Sequence, residues 1–293
     1  MPLAGSRQPE TVARGFAYTE CPRWHQGRLW FSDQYLGGVY AMTEGGDVEA
    51  VVEVPGRPAG LGWLPDGRLL VVSMDRHQLF LLDGGQLRSV ADLSPYHPGP
   101  SNDMVVDRHG RAYVGNIGFD YYGGEAPRLT SLVLADPFTE RCSVAADGLS
   151  VPNGAVITPD GLRFIVAESF GHCLTEFDIG ADGTLTNRRV FADLGSLVPD
   201  GICLDADGAI WAATVADGVV RVRAGGDITD VVQVPERQVY ACALGGAEGR
   251  NLYICAAESD QPSVALERRD ATIERITVDI PAAEAPDSGF GPQ

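Results

Sequence analysis

Residues 155–169, AVITPDGLRFIVAES, place two short apolar runs on either side of Thr158-Pro159-Asp160-Gly161. Gly161 stands where a tight turn needs positive φ, and runs of about four to six residues that are apolar throughout or alternate suit a strand better than a helix. The stretch predicts a β-hairpin. Hairpins of the same form begin at Cys21, Leu61, Met104, Ile202 and Ala243. The six turn glycines, Gly27, Gly67, Gly110, Gly161, Gly208 and Gly249, are 40, 43, 51, 47 and 41 residues apart, about 44 on average.

Between the hairpins lie further strand-like runs, such as Gly38 to Met42 with Val48 to Val54, which makes about four strands per repeat. A four-stranded sheet of this length cannot bury both faces alone, and packing such sheets radially solves the problem. Six repeats therefore predict an all-β, six-bladed β-propeller that forms one domain over residues 1–293, structured from about 15 to 280. Ala271 to Ile280 alternates as a strand and Thr11 to Tyr18 reads as extended, so a strand from one end of the chain is expected to complete a blade begun at the other. A helix over Ser263 to Ile276 is not expected, because nothing large and apolar falls between Leu266 and Ile273. The stretch 281–293, rich in Pro, Ala and acids, is expected to fray.

Composition narrows the function. The 22 basic residues of this 293-residue chain are all arginine. Without a lysine amine, Schiff-base chemistry, pyridoxal phosphate attachment and a phosphate-binding loop of the G-x-x-x-x-G-K-[ST] type are excluded. The net charge of −18 repels phosphate backbones and anionic lipid, so neither a nucleic-acid nor a membrane-surface partner is expected. The first twenty residues lack the apolar run of a secretory signal, and no window nears the roughly eighteen apolar residues of a membrane span; a cytoplasmic protein is expected. The six cysteines include no C-x-x-C pair and read as reduced thiols. No G-x-S-x-G nucleophile elbow and no H-E-x-x-H zinc motif occurs.

The repeat register places the polar residues. Counting back eight positions from each turn glycine, seven for Gly27, reaches the start of the innermost strand of every blade: Glu20, Ala59, Asn102, Asn153, Asp200 and Ala241. In a propeller these positions ring the axis at one mouth. Any single Asn or Asp before Gly is a common turn residue. Two carboxylates and two amides converging on one axial point are a donor set for a hard divalent cation.

These residues resemble the senescence marker protein 30, gluconolactonase and luciferin-regenerating enzyme family, which is a group of six-bladed propellers. Glu20-Cys21-Pro22-Arg23-Trp24 matches its E-G-P-x-W motif, Asn102-Asp103 its N-D, Val151-Pro152-Asn153-Gly154 its N-G, and Pro199-Asp200-Gly201 its D-G. The likeness extends from about Gly15 to Ile280. It implies that Glu20, Asn153 and Asp200 hold one divalent cation, Ca²⁺ first, with Zn²⁺, Mg²⁺ or Mn²⁺ as alternatives, and that Asn102 meets the cation through water or touches substrate. Two departures stand out: Cys21 replaces the glycine after the glutamate, and Pro100 stands where animal members carry a substrate-contacting arginine, which puts their sugar-lactone specificity in question.

If the innermost strands begin at this mouth, the loops after the second strands return to it: 33–37, 74–77, 116–125, 168–172, 215–218 and 258–263. The longest, NIGFDYYGGE at 116–125, mixes aromatics, amides and acids, and Asn116 and Asp120 join Asn102 as expected substrate contacts. His77, His97 and His172 fall nearer this mouth, and His25 and His109 in turns at the other. The resemblance implies a metal-dependent hydrolase that opens a small-molecule lactone, with Asp200 as the base that activates water. Phosphotriester or aryl ester hydrolysis on the same site, and a non-catalytic Ca²⁺-binding propeller, are the alternatives.

Overall fold

The structure, a computed structural model, describes residues 8–284. It contains six antiparallel four-stranded sheets, each made of sequential strands except the one that closes the ring. Their innermost strands are Thr19–His25, Pro58–Trp63, Ser101–Val106, Pro152–Ile157, Ile202–Leu204 and Gln238–Gly245, and each lies against the next around the ring. The chain is a six-bladed β-propeller.

Each hairpin forms where its turn residues dictate. In blade 4, Pro152–Ile157 pairs with Arg163–Glu168 around Gly161 at φ +70°, while the Asp160 carboxylate accepts the Leu162 amide at 3.0 Å. In the sixth sheet Glu10–Phe16 pairs with Ala271–Thr277, so the N-terminal strand is the outer edge of a blade whose other three strands come from the C-terminal end. The strand expected over Ala271 to Ile280 stops at Thr277.

Packing explains why the sheets need one another. Six buried apolar clusters sit between neighbouring blades, one for each interface among the described residues. Tyr113 of blade 3, for example, packs against Phe164 of blade 4 with ring centroids 5.0 Å apart. Each sheet buries both faces through its neighbours, which supplies the burial a single blade lacks.

Two expectations are corrected. A seven-residue helix, Pro262–Arg268, precedes the last strand. It buries only Ala265, so it needs no apolar stripe; Pro262 starts it, and Arg269 ends it in the left-handed region at φ +49°, donating its amide to the Ala265 carbonyl at 2.9 Å. Residues 281–283 are also not frayed. The Pro281 carbonyl accepts the Ala206 amide, and Ala282 and Ala283 donate to the carbonyls of Gly249 and Leu204, which ties this segment across the turns of blades 5 and 6. The rest of the expected fraying tail, 285–293, lies outside the described residues. No described helix is long and apolar enough to cross a membrane.

Candidate active site

The ring residues sit where strand pairing slips. In five blades the register of the innermost strand shifts at its start: between Glu20 and Arg23, Pro58 and Leu61, Ser101 and Met104, Pro152 and Ala155, and Val239 and Ala241. Such bulges re-aim side chains. In blade 5 Asp200 and Gly201 precede the strand, held by the Asp200 amide on the Ala213 carbonyl at 2.9 Å and the Ala213 amide on the Gly201 carbonyl at 3.0 Å.

Crowding at the axis explains the glycines that follow the ring residues. A Cβ added at Gly154 would lie 2.5 Å from the Ile202 nitrogen, and one at Gly201 would lie 2.4 Å from the Ala241 Cβ. Blade 1 differs. Cys21 is buried in the left-handed region at φ +51°, a strain of about 1–3 kcal/mol, and its amide donates to Glu20 Oε2 at 2.7 Å. Cys21 thus turns its backbone into the Glu20 carboxylate.

A cavity of about 350 Å³ occupies this mouth, and Glu20, Asn102, Asn153 and Asp200 all line it. Glu20 and Asn102 are buried, while Asn153 and Asp200 are partly exposed. Burial pushes the Glu20 carboxyl up to about 7, with the Asp103 charge adding to the effect while the Cys21 amide and Arg23 oppose it. Asp200 is raised well above the usual carboxylate range by burial, then by Glu20 and Asp103, against a hydrogen bond from Asn153. Two carboxylates therefore face one small volume that disfavours their charge.

Among the described residues no arginine hydrogen-bonds either carboxylate, and the two nearest are engaged elsewhere. Asp103, which follows Asn102, is 2% exposed and accepts Arg23 Nη2 at both carboxylate oxygens, at 2.7 and 2.8 Å, and the Met104 amide at 2.8 Å; the same Arg23 nitrogen also donates to the Met104 carbonyl. Arg57, the one basic side chain lining the cavity among the described residues, is held by Asp75 through Nε and Nη2 at 2.8–3.1 Å. Asn153 Nδ2 donates to Ser169 Oγ at 3.2 Å, which leaves its carbonyl oxygen for the cavity. Two carboxylates and two amides suit a hard divalent cation. Among the described residues no group of three or more His, Cys, Asp or Glu side chains is placed to hold a metal, so a cation here depends on the amide oxygens.

All six expected loops contribute a wall: Gln34, Met74, Tyr122, Phe170, Val215 and Asp260 come from one loop each. Two of the expected substrate contacts do not line the cavity. Asn116 is fully buried, with the Thr130 hydroxyl donating to Oδ1 at 2.7 Å and Nδ2 donating to the Ser131 carbonyl at 2.8 Å, so it anchors the base of the long loop. Asp120 is exposed and closes the turn of that loop by accepting the Gly123 amide at 2.8 Å. From the same loop Ile117, Tyr121 and Tyr122 reach the cavity instead. None of the five histidines lines it: His97 is buried with Nδ1 2.8 Å from Ser101 Oγ, His172 Nδ1 lies 2.9 Å from the Leu197 carbonyl, and His25 stacks on Trp63 at the far mouth.

The segments leading into the innermost strands add residues that the ring count passed over. Tyr18, Arg57, Val151 and Val198 line the cavity, each two positions before a ring residue. Extended chain repeats its side-chain direction every second residue, so this register was readable as soon as the ring was placed. In blade 6 the slip advances the ring position by one, so Tyr240 lines the cavity and Ala241 packs toward Gly201. Val151 and Val215 both line the cavity at positive φ, +57° and +35°, which β-branched residues rarely adopt.

The chain matches the family model described as the SMP-30/Gluconolactonase/LRE-like region over residues 18–258. It is 27% identical to a 6-deoxy-6-sulfogluconolactonase of Pseudomonas putida over 271 residues, 89% of this chain and 88% of the relative. It is 28% identical to a pentonolactonase of Haloferax volcanii over 260 residues, 86% of each chain. Among solved structures, a calcium-binding protein, regucalcin, from Agrobacterium tumefaciens superimposes with a TM-score of 0.79 at 21% identity, covering 96% of each chain, a likeness of fold.

Proposed function

Given that this chain belongs to the SMP-30/Gluconolactonase/LRE-like family, we propose that it is a divalent-metal-dependent lactonase whose centre is the floor of the cavity. The observation that carries this reading is the convergence of Glu20, Asn102, Asn153 and Asp200, from four different blades, on one cavity whose carboxylates accept no hydrogen bond from any described arginine. The lactonase names of two relatives that align over most of both chains support the choice of reaction. Glu20, Asn153 and Asp200 would hold the cation, with Ca²⁺ the first choice for an all-oxygen donor set and Mg²⁺, Mn²⁺ or Zn²⁺ as further candidates. When bound, the ion supplies a Lewis acid that polarises the lactone carbonyl and stabilises the oxyanion.

The chain's own groups divide the remaining work. Asn102, beside the anchored Asp103–Arg23 pair, orients the lactone from the floor. An Asp200 carboxylate oxygen takes a proton from the attacking water as that water's oxygen bonds to the carbonyl carbon. The ring C–O bond then breaks, and the proton passes to the departing alkoxide to give a hydroxy acid.

Asp200→Asn should lower lactone turnover by at least about 10³-fold, and exhaustive chelation should remove activity that added Ca²⁺ or Mn²⁺ restores. Thermal denaturation with and without the cation gives a reading independent of turnover, since a ligand that binds only the folded state raises the midpoint. An active Asp200→Asn variant would sink the role given to Asp200. Full activity after chelation, with no thermal shift on adding the cation, would sink the metal.

A further inference from the structure

We infer that the substrate is a neutral lactone carrying an alkyl or aryl substituent rather than a polyhydroxylated or anionic one; this rests on the lactonase reading and names its substrate class. The inference comes from the apolar side chains of the cavity wall, Met74, Ile117, Val151, Val198 and Val215, and from how several of its polar groups are engaged. The Tyr122 hydroxyl lies 2.9 Å from that of Tyr35, and both donate to the Asp260 carbonyl, at 3.1 and 2.5 Å. The Tyr240 hydroxyl donates to Gln238 Oε1 at 2.5 Å, and the Thr214 hydroxyl to the Gly218 carbonyl at 2.7 Å. Arg57 is engaged by Asp75 through two of its nitrogens. Among the described residues the side chains of Gln34 and Asp217 and the hydroxyls of Tyr18 and Tyr121 make no hydrogen bond within the protein, and these few groups are left for the polar end of a ligand.

Tyr122 and Tyr240 thus donate to the protein rather than to a ligand, and the aliphatic side chains beside them line the cavity. A sugar lactone would have to bury several hydroxyls against such a surface, and a buried hydroxyl without a partner is strongly disfavoured. An anionic group would meet Asp217 and an arginine whose charge is already matched.

The rim supports the same class. Tyr121, Tyr122 and Phe170 are 44%, 41% and 39% exposed, yet they are in mutual contact: Tyr121 lies 5.1 Å from Tyr122 and 6.2 Å from Phe170 between ring centroids. Behind them Phe119, fully buried, backs Phe170 at 5.7 Å. The other large apolar side chains exposed on this molecule belong to other strands and loops, whereas these three gather over the site mouth. An exposed aromatic group above a polar floor fits a ligand with a polar end and an apolar end.

The test is kcat/KM of the metal-loaded full chain, followed by pH-stat, for δ-nonalactone and dihydrocoumarin against D-glucono-δ-lactone. The alkyl and aryl lactones should be preferred by at least about tenfold, since each methylene well placed in an apolar pocket contributes a factor of that order. Phe170→Ala and Tyr121→Ala, at positions exposed enough to tolerate truncation, should raise KM for δ-nonalactone by about tenfold or more and for unsubstituted δ-valerolactone by at most about threefold. A preference for the glucono lactone, or variants that affect the two δ-lactones equally, overturns this inference and leaves the lactonase reading intact. No hydrolysis of any lactone in the panel overturns both.

Discussion

The two mouths of the propeller are made by the same strands and solve opposite problems. At the far mouth the hairpins turn through residues suited to turning. Gly27, Gly67, Gly110, Gly161, Gly208 and Gly249 all have positive φ, and Asp66, Asp107, Asp160 and Asp205 each accept an amide two residues on. At the site mouth the innermost strands slip, and Cys21, Val151 and Val215 adopt positive φ without being glycine. Local preference and global fold agree at one mouth, apart from Gln26 at φ +48°, and conflict at the other. Conflict of this kind persists only where the surrounding packing over-determines it, and it collects at functional sites.

Each mouth also buries an arginine–aspartate pair, which allows a matched perturbation. Under the far mouth Arg221 Nε meets Asp205 Oδ2 at 2.6 Å, with side chains 4% and 0% exposed. Behind the site Arg23 meets Asp103 at 2.7 Å, at 20% and 2%. Arg221→Met should cost about 3–5 kcal/mol by leaving a buried charge unmatched, and Arg23→Met somewhat less because it is the more exposed partner. Turnover per folded molecule should separate them. Arg221→Met should stay within about twofold of the wild type, while Arg23→Met should fall about tenfold or more, because Asp103 adjoins Asn102 and small displacements of a positioning group are costly. Equal turnover in both variants would show that the pair behind the site only supports the fold.

Two glycines sharpen the contrast at lower cost. Gly161→Ala at the far mouth has open space, its nearest heavy atom being Arg108 Nη1 at 3.5 Å, so only the unfavourable φ opposes it; a loss of about 1 kcal/mol is expected. Gly154→Ala at the site mouth meets backbone at 2.5 Å and must push blades 4 and 5 apart, for about 3 kcal/mol. That displacement separates Asn153 from Asp200, so the stabilisation produced by the cation should shrink in Gly154→Ala and persist in Gly161→Ala. Urea midpoints with and without Ca²⁺ measure both quantities.

The far mouth is also where the fold was legible. Its Gly-containing turns recur at a near-constant interval, and because strand and turn rules are local, the blade count and the closure by the N-terminal strand follow from them. Glu20, Asn102, Asn153 and Asp200 were legible because their register is counted from those same turns. What stayed hidden depends on non-local geometry. Asn116 carries the side-chain chemistry of a binding residue, but a threonine and a carbonyl on the next strand occupy its amide. Tyr240 takes the place counted for Ala241 because the bulge of this blade falls at Tyr240 itself, between Val239 and Ala241, and no composition signal marks that position. The helix Pro262–Arg268 is too short to show an apolar stripe, since it packs through Ala265 alone.

A further expected effect concerns acid stability at the site mouth. His97 is 3% exposed in the segment leading to Asn102, and burial lowers its imidazole to about 3, with His77, which reaches the same Ser101 hydroxyl from 3.5 Å, acting in the same sense. The folded state thus holds His97 neutral, whereas the unfolded chain protonates it near the ordinary value of about 6.5. Between those two values the unfolded state binds more protons, so stability is complete above pH about 6.5 and falls as the pH drops toward 3, by at most about 1.4 kcal/mol per pH unit. Glu20 and Asp200, whose folded values are raised, contribute the opposite sign, so the comparison is made with the cation saturating and between wild type and His97→Gln. Urea midpoints at pH about 7, 6 and 5 should fall more steeply for the wild type than for the variant. Parallel slopes would mean that His97 already shares its proton state with the unfolded chain and that the wall behind Asn102 is wetter than its burial implies.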